Sequence, residues 1–357
     1  MKVFIESVSP ISIQEPLCEK WFSAPIIPSQ SYNLSTEPDY KEFVSPIEAR
    51  RMGKLLKRAV ATALHSLKNA SKAEPDAIII GTGLGCVEHT EKFLNAVIDN
   101  DEECLSPTSF MLSTHNTISS QVAQRLKCHS YNCTYSHRAL SFDNALWDAL
   151  MQMELGKIAN ALVGGHDEMT PAYYTMLGRI GYWKNEEDCS TEKLREGKSH
   201  GSISGDCSVS MFLNNTQTPL AQCSIDDMEL LYKPSLSQIR TLLSTLLEKH
   251  HLTINNIDGI VCGLSGDAEN DHIYQNIFSQ YCPDTPLIWY KHLFGESCCA
   301  SALGTYVAAT CLKKQLIPSH LIYNQNDNKI EKPEHLLVYN HFKNIDHSLI
   351  LLSSCCN

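Results

Sequence analysis

The chain has 357 residues, of which 43% are hydrophobic and 19% are charged, a composition typical of a globular protein with a large apolar core. The formal net charge of −11 and the lack of a long lysine or arginine run argue against a nucleic-acid or anionic-membrane partner. We interpret the one basic cluster, residues 48–59, as a solvated helix face rather than a docking site.

The 15 cysteines are scattered along the chain, and the opening MKVFIESVSPISI lacks the basic start and apolar run of a signal peptide. Because no pair of CxxC motifs is present, we expect free, mostly buried thiols and no metal site. No apolar stretch reaches the roughly 18 residues that a membrane span needs. The sequence therefore predicts a soluble, cytoplasmic protein.

Hydrophobic periodicity predicts strands that alternate with long helices. In chain order we expect helix 48–70, a strand and a helix on either side of the glycine turn 81–85, helix 115–128, strand 130–136, helix 138–157, strand 158–168, a strand hairpin over 199–215, a helix and a strand within 235–263, a strand and a helix within 286–315, and closing strands 335–342 and 347–354. The turn GTGLG lacks a full GxGxxG register and a GK[ST] sequence, so we expect no nucleotide and no other cofactor.

Alternating strands and helices predict α/β layers. The same strand–loop–helix order occurs at residues 133–156 and again at 287–314, which predicts two related halves. We assign residues 43–215 to the N-terminal half and 216–357 to the C-terminal half. Residues 1–42 form a strand and loop segment of the same domain.

Seven motifs follow one another in an informative order. They are GTGLG, SPTSFMLSTHNTISSQVAQRL, VGG before an acidic pair, HGSISGD, NNIDGIV, Lys291 with Gly295, and VYNHF. In this order and spacing, from about Phe43 to the end, the chain resembles the β-ketoacyl synthase family. The resemblance implies a thiolase-like fold with layers in the order αβαβα.

Members of this family transfer an acyl chain from a carrier protein to a cysteine, then decarboxylate a malonyl-type extender and join the two. The cysteine lies at the N-terminus of a buried helix, where the helix dipole and backbone N–H groups lower its pKa. Two histidines stabilise the charge that develops on the extender, a lysine supports one of them, and a glycine-rich loop shapes the oxyanion hole.

The resemblance places these positions on residues that cannot perform the reaction. Counting back from Gly156 and the VGG glycines, the cysteine position falls on Ala139, which follows His137 and Arg138. Loss of the nucleophile alone should cost orders of magnitude in rate.

The remaining family positions are also changed. The first histidine position falls on Gly263, and the second falls on Glu296, five residues after the retained Lys291. The oxyanion loop is reduced to NHFKNID, which keeps Asn340 and Phe342 and loses the glycines. Four losses at separate places argue against condensation in this site.

Alternative nucleophiles and new contacts remain open at this stage. Cys298 and Cys299 begin a helix of small residues and are better placed than Cys133, although core packing is the simpler interpretation. We expect His137 and Arg138 to plug the former pocket or to contact a partner. An Arg138–Glu296 salt bridge across the vacated site is a further expectation from family geometry.

Some relatives lose the cysteine and pair with an active synthase, whose product length they limit. This chain resembles such chain length factors, which act in fatty-acid, polyketide or aryl-polyene-type biosynthesis. Synthases dimerise through the strand before the nucleophile helix, here SYNCTYS. The resemblance therefore implies a catalytic ketoacyl synthase as partner, with acyl carrier protein as a further candidate. Tunnel depth would be set by Phe110, Met111 and His115.

Two other functions fit the same residues. The chain could be an active 3-oxoacyl synthase with displaced catalytic residues, which would carry a thioester on Cys298 or Cys299. It could also be a homodimer that binds acyl chains or carrier protein without catalysis, which would require an open apolar cavity.

Overall fold

The computed structural model describes residues 1–324 and 329–355. The strands are β1 (Val3–Ile11), β2 (Ala77–Gly81), β3 (Tyr131–Tyr135), β4 (Asn160–Asp167), β5 (Cys207–Asn214), β6 (Cys223–Tyr232), β7 (Gly259–Cys262), β8 (Leu287–Trp289), β9 (Leu316–Ile317), β10 (Ile330–Glu331), β11 (His335–Phe342) and β12 (Asp346–Ser354). The helices are α1 (Pro46–Ala49), α2 (Lys54–Asn69), α3 (Val87–Asp99), α4 (Pro107–Ser113), α5 (Thr117–Leu126), α6 (Ser141–Glu154), α7 (Pro171–Gly178), α8 (Thr191–Glu196), α9 (Leu236–Lys249), α10 (His272–Tyr281), α11 (Lys291–Phe294) and α12 (Ala300–Lys314).

Ten strands form one hydrogen-bonded sheet in the order β3-β2-β4-β5-β1-β6-β12-β11-β7-β8. The order has the same pattern from either edge. Three parallel strands (β3, β2, β4 at one edge; β8, β7, β11 at the other) are followed by two antiparallel ones (β5 and β1; β12 and β6). The two sets meet where Val3–Ile5 of β1 pairs with β6. Strands β9 and β10 form a separate small sheet.

Helices α6 and α12 are the buried helices of the two sets. Helix α6 packs on β2, β3 and β4 and also contacts α12. Every residue of α12 from Ala300 to Leu312 is buried, and its small side chains let the sheet approach closely: a Cβ built on Gly165 of β4 would lie 3.0 Å from the Ala302 Cβ. The predicted thiolase-like α/β fold, layered αβαβα, is confirmed.

Two local predictions are wrong. The helix expected over residues 48–70 is broken: α1 ends at Ala49 and α2 begins only at Lys54. Gly53 between them is extended, and a Cβ there would lie 2.9 Å from the His89 Nε2 atom, so α3 packs too closely for a continuous helix.

The expected hairpin over residues 199–215 is a single strand, β5, preceded by a loop. Strand β5 pairs with β1 and β4 on its two sides, which leaves no place for a local partner. The loop instead makes isolated bridges, Trp183 with Ser202 and Ser204 with Glu296. None of the helices within residues 1–324 and 329–355 has the length and apolarity required to cross a lipid bilayer.

Candidate functional site

The turn between β3 and α6 contains Ala139, which the sequence resemblance predicts to be the nucleophile position. A single turn of 3-10 helix spans Arg138 to Leu140, and α6 begins at Ser141. The Ser141 hydroxyl accepts a hydrogen bond from the His137 N–H at 2.8 Å and donates one to the Arg138 carbonyl at 2.7 Å. Arg138 has a φ of 45°, a left-handed conformation that costs a non-glycine residue about 1 kcal/mol. The tight turn is therefore present without a nucleophile.

Little free space remains beside Ala139. His137 and Arg138 are exposed and Ala139 is half-buried. The cavity that Ala139 faces has a volume of only about 20 Å³, enough for a single water molecule. Its other walls include Lys291, Glu296, Asn340, His341 and Phe342. These neighbours, rather than an inserted His137, close the space.

Glu296, predicted to occupy the second histidine position, forms an ion pair with Lys291. The Lys291 Nζ atom lies 2.6 Å from a Glu296 carboxylate oxygen, and the lysine side chain is only 6% exposed. Among the ion pairs of the described residues, none joins Arg138 to Glu296, so the expected salt bridge is wrong. The physical reason is local: α11 is only four residues long and ends at Phe294, and the following Gly295 has a φ of 71°, so the chain turns and brings Glu296 beside Lys291.

Gly263, predicted to be the first histidine position, is closely surrounded by other polar groups. A Cβ built on Gly263 would lie 2.4 Å from Asn340 Oδ1, 2.5 Å from the Tyr274 hydroxyl and 3.2 Å from Lys291 Nζ. The Asn340 oxygen also accepts a hydrogen bond of 2.7 Å from the Tyr290 hydroxyl. A histidine would need the space that these three groups fill.

The two thiols proposed as substitute nucleophiles are held in the neutral form. Burial raises the pKa of Cys298 well above its usual value, and the carboxylates of Asp167 and Glu296 raise it further against a smaller opposing effect of Arg138. Burial and Asp167 also raise the pKa of Cys299 well above normal, and its thiol donates to the Gly81 carbonyl at 3.4 Å. Since the thiolate is the reactive form, neither residue is activated.

The Asp167 carboxylate accepts hydrogen bonds from backbone N–H groups of the GTGLG turn. Its carboxylate accepts hydrogen bonds from the Thr82 hydroxyl at 3.1 Å, the Gly83 N–H at 3.0 Å and the Leu84 N–H at 2.9 Å. Burial raises the pKa of Asp167 to about 6. These N–H groups are therefore already bound to a carboxylate of the same chain and are not free to bind a phosphate. GTGLG serves as a structural strand-to-helix turn.

Two larger cavities adjoin the ion pair. The Lys291 cavity has a volume of about 390 Å³ and includes Gly263, Tyr274 and His341 in its wall. The Arg138 cavity has a volume of about 460 Å³ and is more apolar. Both are bounded by Ile180, Tyr182, Glu296, Phe342 and Lys343. Within the Arg138 cavity, the further wall residues include Arg138, Tyr173, Leu177, Trp183 and Cys298.

The residues expected to set tunnel depth lie elsewhere on the surface. Phe110 is 55% exposed and Met111 67% exposed, and His115 is also exposed. The Phe110 ring packs against Phe93 with ring centroids 5.2 Å apart. Among the described residues that line the Lys291 and Arg138 cavities, none of the three is present. They contact neither cavity of their own chain.

Sequence reasoning missed three residues that shape the site, namely Tyr182, Tyr274 and His341. Tyr274 on α10 carried no recognisable signal, because an isolated tyrosine in a helix is usually a packing residue. His341 follows Asn340 directly and could have been noted from that position. Burial lowers the pKa of His341 well below its usual value, so this histidine is neutral. Burial also raises the pKa of Tyr182 above its usual value.

The described residues were also compared with the requirements of a metal site. Over residues 1–324 and 329–355, no group of three or more histidine, cysteine, aspartate or glutamate side chains is arranged to hold one. Four polar groups of the site are paired with one another, Lys291 with Glu296 in an ion pair and Tyr290 with Asn340 through a hydrogen bond.

Comparison with known proteins gives one family match. Residues 19–182 match the family model for the β-ketoacyl synthase N-terminal domain. No curated protein sequence matches the chain.

Solved structures that cover the whole chain are similar in fold. The ishigamide ketosynthase/chain length factor has 15% sequence identity and a TM-score of 0.82, with 99% of each chain covered. A β-ketoacyl synthase from Burkholderia phymatum STM815 has 13% identity and a TM-score of 0.82 over 99% of each chain. The AntDE:AntF complex, a type II polyketide-synthase acyl-carrier protein with its ketosynthase, has 12% identity and a TM-score of 0.77, again over 99% of each chain.

The predicted resemblance to the β-ketoacyl synthase family is therefore confirmed, by the family model for residues 19–182 and at the level of the fold for the whole chain.

Proposed function

We propose that this chain is a non-condensing, ketosynthase-like subunit of the chain length factor type, which pairs with a catalytic ketosynthase in polyketide, fatty-acid or aryl-polyene-type biosynthesis. One observation carries the proposal: the turn before α6 keeps its tight geometry but presents Ala139, facing a cavity of about 20 Å³. A protein without a nucleophile at this turn cannot receive the acyl chain there.

The other half of the site supports the same conclusion. Gly263 has no room for a histidine, and Glu296 is committed to Lys291. The nearest thiols, Cys298 and Cys299, have raised pKa values and are neutral at physiological pH. This argues against the alternative of an active synthase with displaced catalytic residues.

The exposed residues fit a role in a partner's active site. Phe110, Met111 and His115 lie on the surface around α4, where they can reach a neighbouring subunit and limit the depth of its acyl tunnel. His137 and Arg138 are exposed beside β3, and in the proposed pair they would contact the same neighbour. The cysteines from Cys18 to Cys311 form no disulfide, which agrees with a reducing compartment, and we place the pairing in the cytoplasm.

A second function has its own support. The Arg138 cavity, with a volume of about 460 Å³ and walls that include Tyr173, Leu177 and Trp183, is large enough for an acyl chain. A homodimer that binds acyl chains without a catalytic mate is therefore the alternative to test.

Intact mass spectrometry separates these functions. The purified chain is incubated with acyl- and malonyl-carrier protein, first alone and then with a co-expressed ketosynthase that has its cysteine. We expect no covalent adduct on this chain, co-purification with the synthase, and a change in product length. An acyl adduct on Cys298 or Cys299 would instead establish an active synthase. A bare homodimer that ignores the synthase and retains free acyl chains would establish the binding protein.

A further inference from the structure

A further cavity lies beside β1 and is separate from the candidate functional site. It has a volume of about 580 Å³, which is in the range of small-molecule sites, and its walls come from β1, α2, α12 and the segments 17–19 and 219–222. Among the described residues, none lines both this space and the Lys291 or Arg138 cavity. Strand β1 pairs with β6 through Val3–Ile5, and within the described chain no strand covers that edge beyond Ile5. We call this space the β1 cavity.

Glu6 is a buried acid in the wall of the β1 cavity. The register between β1 and β5 shifts between Ile5 and Ser7, so Glu6 is the extra residue of a bulge, which redirects its side chain. Glu6 is only 3% exposed. Its Oε1 atom accepts hydrogen bonds from Asn214 Nδ2 at 3.0 Å and from the Thr218 hydroxyl at 2.7 Å. Its Oε2 atom has no hydrogen-bond partner among the described residues.

The Glu6 carboxyl group also lacks a cationic partner. None of the ion pairs between described residues includes it. Lys313, which lines the same cavity, is bound to Glu19 at 2.7 Å, and Lys314 is bound to the same carboxylate at 2.7 Å. Glutamate side chains are almost never fully buried unless they are paired, because an unpaired charge is costly to remove from water. Glu6 therefore has the capacity to bind a cation from outside the chain.

The other polar side chains of the wall do not supply that cation. His65 Nδ1 accepts a hydrogen bond from Asn69 Nδ2 at 3.2 Å, so a neutral His65 ring carries its proton on Nε2. Burial lowers the pKa of His65, which favours this neutral form at physiological pH. Gln222 donates from Nε2 to the Glu6 carbonyl at 3.1 Å. Apolar side chains, among them Val8 and Leu17, form much of the remaining wall.

We infer that the β1 cavity binds a small primary amine, whose ammonium group pairs with the Glu6 carboxylate. The alkyl chain of the amine lies against Val8, Leu17 and Leu220. An anion would be repelled by Glu6, and a neutral ligand would leave its charge without a partner. A metal ion lacks ligands here, because within residues 1–324 and 329–355 no three histidine, cysteine, aspartate or glutamate side chains are arranged to hold one. The inference goes beyond the proposed pairing function and does not depend on it.

Three probes of equal chain length test the inference. Isothermal titration calorimetry on the full chain at pH 7.5 compares hexylamine, hexanol and hexanoate. We expect hexylamine to bind about tenfold more tightly than hexanol, because only the amine gives Glu6 a charged hydrogen-bond donor, and hexanoate to bind least. Equal affinities of hexylamine and hexanol would overturn the inference, since the cavity would then be a purely apolar groove. So would the absence of hexylamine binding at millimolar concentration.

A pair of variants locates the ammonium group. Glu6→Gln keeps an acceptor for Asn214 and Thr218 and removes the charge, so hexylamine affinity should fall by about tenfold while hexanol affinity stays the same. Lys313→Met is the control, because it changes a charge in the same wall while Lys314 still pairs with Glu19. Its hexylamine affinity should not fall. An equal loss in both variants would assign the effect to general packing and would overturn the inference.

A third variant does not alter the buried acid, and thermal melting confirms that each variant folds. Leu220 is 43% exposed in the wall of the β1 cavity, so Leu220→Lys should be tolerated. Its own ammonium group would compete for Glu6 and should lower hexylamine affinity by about tenfold. Undiminished hexylamine binding in Leu220→Lys would show that the amine binds elsewhere on the chain, against the inference.

Discussion

Helices α6 and α12 occupy matching places in the two halves of the sheet, yet the chain treats their N-terminal ends differently. The turn before α6 is exposed on one side, tightly hydrogen-bonded through Ser141, and free of any nucleophile. The segment before α12 is packed, with a buried lysine in an ion pair and two thiols near Asp167. The turn before α6 therefore has the tight geometry and no thiol. The segment before α12 has two thiols, but their surroundings raise their pKa values.

This difference gives the proposed loss of catalysis two distinct physical settings. At Ala139 the turn has its hydrogen-bonded geometry and no thiol. At Gly263, the Asn340, Tyr274 and Lys291 side chains fill the space that a histidine would need. We therefore expect a cysteine to fit at position 139 and a histidine not to fit at position 263.

The largest expected effect comes from Gly263→His. The new Cβ would lie within 2.4 to 2.5 Å of Asn340 and Tyr274, so overpacking should lower the free energy of unfolding by about 3 kcal/mol in urea titrations. Gly178→Ala is the control, because the nearest atom to its Cβ is 3.7 Å away, and it should stay near wild type. A Gly263→His protein with the same free energy of unfolding as wild type would contradict this account, because the site would then have room for a histidine.

Breaking the ion pair should have the next largest effect. Lys291→Met leaves the Glu296 carboxylate without its partner and should lower the free energy of unfolding by about 2 kcal/mol, a value reduced for the part of Glu296 that solvent reaches. The double variant K291M/E296Q removes both charges and should recover part of the loss. Equal stability of the single and double variants would show that the two charges do not interact.

Thiol reactivity measures the electrostatic setting before α12. Because burial and the carboxylates of Asp167 and Glu296 raise the pKa of Cys298, the thiolate fraction should rise about tenfold per pH unit. Iodoacetamide labelling of Cys298, followed by peptide mass spectrometry, should therefore increase from pH 7 to 9.5 without a plateau. The exposed Cys104 should react first. Rapid Cys298 labelling that is already maximal at pH 7 would identify an activated nucleophile.

The smallest effect on stability is expected for Ala139→Cys. The added sulfur enters a half-buried position beside a cavity of about 20 Å³, so the free energy of unfolding should change by less than about 1 kcal/mol. The new thiol lies just before α6, where backbone N–H groups favour the thiolate, and should label faster than Cys298. Ala139→Ser is the matched control without a thiol. A poorly reactive thiol at position 139 would show that the turn has lost its electrostatic setting as well.

The sequence predicts the backbone of this site better than its side-chain packing. Glycine spacing around Gly156 and the alternating strand and helix patterns predict β3, α6 and β4 because those signals are local. The closure of the Gly263 position depends on Tyr274, Asn340 and Lys291, which come from three separate elements. The Arg138–Glu296 expectation failed for a related reason: Lys291 is five residues from Glu296, but only the turn at Gly295 brings them together.

The short pairing of β1 with β6 has a consequence for any attempt to divide the chain. Strand β1, near the N-terminus, pairs with β5 on one side and with β6 on the other. It therefore joins the two halves that we propose at 43–215 and 216–357. A cut after residue 215 would uncover one side of β6, together with the α12 surface that meets α6. Each fragment would present a bare strand and an apolar helix face to water, so both should aggregate when made separately and recover solubility only when made together.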